Sequence, residues 1–218
     1  MLKIGLTGGI ASGKSVVGEM FVALGAQLVQ ADKISHALMQ PGEVIYDEVV
    51  RCFGREILNA DGTVNRSRLA EIVFAGPSAG QSGPRIEELN RIVHPAVIRR
   101  ENEWMEEVSR KDPQAVAIVE AALLLEAGGA GRYDSLVLVT CGEAQRVARF
   151  AARQKIDLEA ARKEVARRMA AQWSEDKKAE AADFIIDNSG PLEQTRSQVQ
   201  HLWQKFRPGT SLTTGTTR

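Results

Sequence analysis

Eight residues near the start of the chain, Gly8-Gly9-Ile10-Ala11-Ser12-Gly13-Lys14-Ser15, have the types and spacing to handle phosphate. They fit Gly-x-x-x-x-Gly-Lys-[Ser/Thr], a pattern with a physical mechanism. Gly8 and Gly13 let the backbone turn tightly and approach an anion with no Cβ in the way. Successive N–H groups, from Gly8 and Gly9 through Ala11, Ser12 and Gly13 to Lys14, Ser15 and Val16, then face the phosphates at the positive end of a helix dipole. Lys14 adds a full charge near the β- and γ-phosphates, and Ser15 offers a hydroxyl to Mg²⁺. The loop by itself implies ATP or another nucleoside triphosphate with Mg²⁺. It does not separate a kinase from a GTPase or an ATPase.

Other residues suit the second half of such a reaction. Asp32 follows a short apolar run, where a carboxylate can orient an acceptor hydroxyl and take its proton. Asp is also a favoured helix N-cap, and spacing leaves the two roles even. Glu120 ends another apolar run and reads as a water-mediated Mg²⁺ ligand or a structural acid. Glu126 reads as solvated or paired with a nearby base. Arg146, Arg149, Arg153, Arg162, Arg167 and Arg168 crowd two charged helices that resemble a lid. Arg149 and Arg153, four apart, share a helix face and are the pair best placed to grip phosphate. Arg66 and Arg68 flank a helix start where an anion could bind. His94-Pro95 reads as a fixed break between helices. Nothing in the pattern gives His36 or His201 a role, and the three tryptophans read as packing residues.

The elements that must position these residues alternate. Leu2–Thr7, Gln27–Gln30, Ala115–Glu120, Leu136–Thr140 and Phe184–Asp187 read as short apolar strands. Helical spacing marks Lys14–Leu24, Lys33–Met39, Glu43–Phe53, a short helix capped by Asn65, Arg85–Val93, Pro95–Lys111, Glu143–Arg153, Leu158–Gln172 and a closing helix from Pro191 to about Phe206. Strands too apolar to be half-exposed, with helices between them, imply an α/β fold with a five-stranded parallel sheet covered on both faces. Ligands of such sheets bind at the carboxyl ends of the strands, where Gly8, Asp32, Glu120 and Asn188 fall. The stretch 36–111 lacks strands and reads as an inserted substrate domain. Residues 1–35, 112–145 and 180–207 then form the core domain, 146–179 the lid, and 208–218, rich in Thr, Gly and Ser, a flexible tail. Residues 76–84 read as the clearest loop.

Composition narrows the class. Of 218 residues, 28 are Lys or Arg and 28 are Asp or Glu, so net charge gives no argument for a nucleic-acid or membrane partner. Cys52 and Cys141 lie far apart and in no metal-ligand spacing. The chain opens directly on a strand, with no leader-like stretch and no apolar run of membrane-spanning length, so a cytoplasmic enzyme without an obligate protein partner is expected. A GTPase would need a guanine-reading Asn-Lys-x-Asp, which does not occur.

Taken in order, these residues resemble the dephospho-coenzyme A kinase family. The likeness runs from Ile4 to about Gly190 through Leu6–Ser15, Ala31-Asp32, Phe53-Gly54, Asp61–Arg66 with Leu69 and Phe74, His94-Pro95, Leu123–Glu126, Arg149 with Arg153, Gln172, and Ala182-Asp183 through Asn188 and Gly190. It implies a P-loop fold of the nucleoside monophosphate kinase type, with a helical coenzyme A-binding insertion and a lid. It implies transfer of the ATP γ-phosphate to the ribose 3′-hydroxyl of dephospho-CoA. It raises Asp32 to general base, with Lys14 and Arg149 as its catalytic partners. It puts Arg66, His94 and Glu120 on the substrate side, Arg149 and Arg153 in the lid, and Asn188 on the adenine side. Four positions depart from the family pattern: Gln30 replaces an acid, His36 an arginine, Ala122 a proline, and Val16 a threonine. The alternatives are another small-molecule kinase of this fold, or a nucleotide-binding regulatory protein with little turnover.

Overall fold

A computed structural model of the chain describes residues 1–74 and 85–207. The loop expected at 76–84 and the tail expected at 208–218 lie outside the described residues. Among the described residues, five strands form one sheet: β1 (Leu2–Gly8), β2 (Gln27–Gln30), β3 (Val116–Glu120), β4 (Ser135–Thr140) and β5 (Phe184–Asp187). Their order is β2-β3-β1-β4-β5, and every pairing is parallel. All five residues of β3 are buried, which is why its sequence runs apolar without alternating. Register sets the chemistry at the strand ends: Glu120 lies opposite Leu6 on one side and Gln30 on the other.

Helices cover the sheet. Residues Ile4, Leu6, Val17, Phe21, Val199 and Phe206 share one core, which joins β1 to α1 (Lys14–Ala23) and α9 (Leu192–Phe206). The rings of Phe21 and Phe206 stand 6.0 Å apart, and Phe184 meets Phe206 edge-on at 5.8 Å. The arginine-rich pair, α6 (Glu143–Gln154) and α7 (Leu158–Ala170), buries Val147, Phe150, Ala151, Ala161 and Val165 against Ile10 of the glycine loop. Both helices therefore pack on the loop's own core residue. Asp157 caps α7, accepting from the Ala160 N–H at 2.8 Å. The sequence pattern did not mark α8 (Glu175–Ala181), a short charged helix capped by Ser174. Seven residues with no apolar periodicity give no helix signal.

By contacts the chain divides into two compact units. One comprises Met1–Gln30 and Met105–Arg218, and the other Ala31–Trp104. The second unit contains α2 (Ala31–Leu38), α3 (Tyr46–Phe53), a 3₁₀ turn at Arg55–Ile57, α4 (Arg66–Phe74) and the start of α5 (Ile86–Lys111). Its buried residues include Ile34, Leu38, Val49, Phe53, Leu69 and Val93. Asn65 caps α4 as its type suggests, accepting from the Arg68 N–H at 3.1 Å. The Tyr46 hydroxyl closes the Asn59–Thr63 turn by donating to the Gly62 carbonyl at 2.6 Å.

One expectation is overturned. His94-Pro95 does not break two helices, because α5 runs through Pro95 without interruption. Val93 and Val97, on either side of the proline, are both buried. Their packing holds the helix together across the missing N–H. Because Pro95 is exposed, Pro95→Ala restores a backbone bond without a new clash. It is expected to stabilise the chain by about 1–3 kcal/mol, read as a shift in the denaturant midpoint.

Candidate active site

The glycine loop joins β1 to α1, and its backbone explains its glycines. Gly13 immediately precedes α1 with φ 93°, and a Cβ there would stand 2.1 Å from Asn188 Nδ2. A Cβ on Gly8 would stand 2.3 Å from the Val139 carbonyl oxygen. Neither position admits a side chain. Ala11 adopts φ 52°, left-handed backbone that a residue with a Cβ rarely takes, so the loop carries strain at its apex. The Lys14 ammonium curls back over the loop and donates to the Gly8 and Gly9 carbonyls at 2.9 and 3.1 Å. Val16 is 41 % exposed at the outer side of α1.

Three side chains meet at the start of α1. Ser15 donates its hydroxyl to Glu120 Oε1 at 2.7 Å, and Gln30 donates its amide to Glu120 Oε2 at 2.7 Å. Glu120 is buried, so both its oxygens are met inside the protein. The pair Ser15 and Glu120 supplies the hard oxygens a divalent cation on a nucleotide prefers. The donor set therefore fits Mg²⁺, with Glu120 beside the Ser15 hydroxyl. The Ser12 hydroxyl, fully buried in the loop, has no hydrogen-bond partner.

Behind the loop, the Ser12 carbonyl is gripped twice. Asn188 Nδ2 donates to it at 2.8 Å and Arg149 Nη1 at 3.3 Å. The second Arg149 nitrogen donates to the Asn188 carbonyl at 3.0 Å. Thr195, on α9, donates to Asn188 Oδ1 at 2.9 Å and so fixes which way the amide faces. Sequence reasoning missed Thr195. Its signal is a polar residue within the buried stripe Thr195, Val199, Leu202, Phe206. Arg153 does not join Arg149 at the loop. It is exposed and lies over the Phe150 ring at 5.6 Å.

Arg146 is one of the six arginines of the expected lid, and the structure makes it the buried one, at 1 % exposure. It donates to the Cys141 and Ile10 carbonyls at 3.0 and 3.2 Å, and to both Glu175 oxygens at 2.5 and 2.6 Å. Nη2 is shared between the two carboxylate oxygens while Nε and Nη1 each reach a carbonyl, so every nitrogen of the buried guanidinium has an acceptor. Its signal was a charge inside the apolar stripe of α6. Glu126 proves to be paired rather than solvated: Oε1 meets Lys178 Nζ at 2.9 Å and accepts from the Trp173 N–H at 3.0 Å.

In the helical unit, Asp32 sits in the first turn of α2 and is exposed. Its carboxylate accepts no hydrogen bond from the described residues, so it caps nothing. The capping role that spacing left open is not the one it fills. His36, one turn on, shares that exposed face. Arg66 and Arg68 are both exposed at the start of α4, and Arg68 donates to the Leu58 carbonyl at 3.2 Å. His94 is half-buried on α5; burial favours the neutral imidazole and pushes its pKa down, against the opposing charge of Glu101.

Two outcomes follow from this geometry. Asn188→Ala strands the Thr195 hydroxyl and weakens the hold on Ser12. It is expected to cost about 1–3 kcal/mol of stability and to raise the KM for ATP more than it lowers kcat, read by denaturant unfolding and steady-state kinetics. On α7, hydrogen bonds from Arg167 and then Arg168 hold the Glu164 carboxyl down at about 2, below its usual 4.5. A depressed carboxylate stabilises fully above its unfolded pKa and loses that contribution as pH falls toward the folded one. The melting-temperature gap between the native chain and Glu164→Gln is therefore expected to be constant above about pH 5 and to close between about pH 4.5 and 2, with a small amplitude of about 1 kcal/mol or less at this partly exposed site.

The chain is similar to known proteins. The dephospho-CoA kinase family model matches residues 2–194. The dephospho-CoA kinase of Syntrophotalea carbinolica is 40% identical over 209 residues, covering 96% of this chain and 94% of that one. That of Geobacter metallireducens is 40% identical over 205 residues, covering 94% and 96%. A crystal structure of a Thermus thermophilus protein superposes with a TM-score of 0.74 at 31% identity, covering 94% of this chain and 97% of the other. Matched by the family model over residues 2–194 and by relatives at 40% identity along nearly its whole length, the chain belongs to the dephospho-CoA kinase family.

Proposed function

We propose that Asp32 is the general base, and Gly8–Ser15 the donor cradle, of the reaction that defines this family. The chain is an ATP-dependent kinase that phosphorylates dephospho-CoA in coenzyme A biosynthesis. In our reading the acceptor is the ribose 3′-hydroxyl, and the products are coenzyme A and ADP. The observation that carries the assignment is the exposed, uncapped carboxylate of Asp32, two residues after Gln30.

Each group then has a task. The loop N–H groups and the Lys14 ammonium hold the β- and γ-phosphates. Ser15 and Glu120 are the residues that would hold Mg²⁺, which when bound neutralises charge on the phosphate oxygens. Arg149 donates to the Ser12 and Asn188 carbonyls behind the loop, and its guanidinium would leave those acceptors to meet charge on the transferring group. Arg153, exposed over the Phe150 ring, is assigned to reach nucleotide from solvent. Arg66 and His94 are assigned to the acceptor, Arg66 as an exposed cation for its phosphates and His94 as a neutral hydrogen-bonding group. Asp32 orients the hydroxyl and accepts its proton as the P–O bond forms.

Asp32→Asn keeps the shape and removes the base. It is expected to lower kcat by a factor on the order of 10² to 10⁴ while leaving ATP affinity within about twofold, measured by ADP release with dephospho-CoA and by calorimetry. Retention of full turnover would reject Asp32 as the base. Absence of any dephospho-CoA-stimulated ADP release from the native chain would reject the acceptor.

A further inference from the structure

The strand register brings a neutral residue, Gln30, against the one buried acid that faces the nucleotide loop. Gln30 ends β2 directly opposite Glu120, which ends β3. Glu120 is 8 % exposed, and its two oxygens are divided. Oε1 takes the Ser15 hydroxyl and Oε2 takes the Gln30 amide, each at 2.7 Å. On the next turn of α1, Gly18 leaves this carboxylate uncrowded, since a Cβ there would reach Oε2 only at 3.6 Å. Nothing but the Gln30 amide therefore fixes the Oε2 side of the carboxylate among these neighbours.

The direction of the two bonds matters. A hydroxyl that donates its proton to Glu120 turns its lone pairs the other way, toward a cation. A carboxylate held at Oε2 cannot rotate away from Ser15 without losing a charge-assisted bond. An acid at position 30 would instead place two carboxylates side by side, which oppose each other until a cation joins them.

We infer that Gln30 is a positioning residue for the metal end of the nucleotide site. It locks Glu120 so that Ser15 presents its lone pairs to a divalent cation, and it keeps one carboxylate there rather than two. The strength of coupling between cation and nucleotide is then set by the residue at position 30. This rests on the glycine loop as the nucleotide site and does not depend on the acceptor.

The test is binding rather than turnover. Affinity for the β,γ-imido analogue of ATP is measured by calorimetry on the full chain, once with Mg²⁺ and once with EDTA, and the ratio of the two is the readout. A bond that only supported the fold would change the melting temperature and leave this ratio alone. In Gln30→Ala the ratio is expected to fall about tenfold, the scale of one lost charge-assisted bond, with metal-free affinity changed less than about twofold. In Gln30→Glu, which matches glutamine in shape, the ratio is expected to rise, because the cation relieves a repulsion that weakens metal-free binding. The inference is overturned if both variants keep the native ratio within about twofold, or if Gln30→Glu lowers it. Should Gln30→Ala not fold, Gln30→Glu decides alone. A native chain that does not bind the analogue under either condition would overturn the nucleotide site itself, and with it this inference.

Discussion

The carbonyl oxygen of Ser12 is the point on which the donor site depends. A phosphate-binding loop must turn its N–H groups toward the ligand, so its carbonyls face backward into the protein, where each needs a donor. Here Asn188 and Arg149 both supply one. Asn188 comes from the segment after β5 and is itself held by Thr195 of α9, while Arg149 comes from α6. Two distant parts of the chain thus converge on one backbone oxygen, and α9 holds one of them in place. Gly13 has no side chain because the Asn188 amide occupies the place a Cβ would take.

Among the described residues, the same unit pairs each of its two buried cations with an acid. Arg146 meets Glu175, and Lys178, 2% exposed, meets Glu126 while also donating to Gln172 at 3.2 Å. A guanidinium or ammonium buried alone would cost several kcal/mol, so these partners are conditions of the fold rather than additions to it. Both cations belong to segments around the loop. Arg146 braces Ile10 from behind, and Lys178 fixes α8, the short helix with no apolar pattern to announce it. Electrostatics here does what hydrophobic periodicity does elsewhere in the chain.

The helical unit follows a different logic. Its helices are held by small apolar contacts and by local closures such as Tyr46 on Gly62 and Asn65 on Arg68. Two of the residues proposed for its chemistry, Asp32 and Arg66, are left exposed. Exposed side chains without intramolecular partners stay available to a ligand. That separates Asp32 from Glu120, whose oxygens are both spoken for.

The sequence by itself determined the phosphate loop, the five strands and their parallel pairing, because Gly-x-x-x-x-Gly-Lys-Ser and unbroken apolar runs are local signals with local causes. It also determined the family, since Asp32, His94-Pro95, Arg149 and Asn188 recur in one order along the chain. It could not determine which of six arginines is buried, that Arg149 and Arg153 part company, or that α5 passes through Pro95. Those depend on what lies across from each residue. Arg146 is inside because Glu175 and two carbonyls meet it there. The helix survives Pro95 because Val93 and Val97 are packed. Gln30 gains a role only because parallel register sets it beside Glu120. Spacing along a chain fixes which residues share a face, but only the packed fold decides what that face meets.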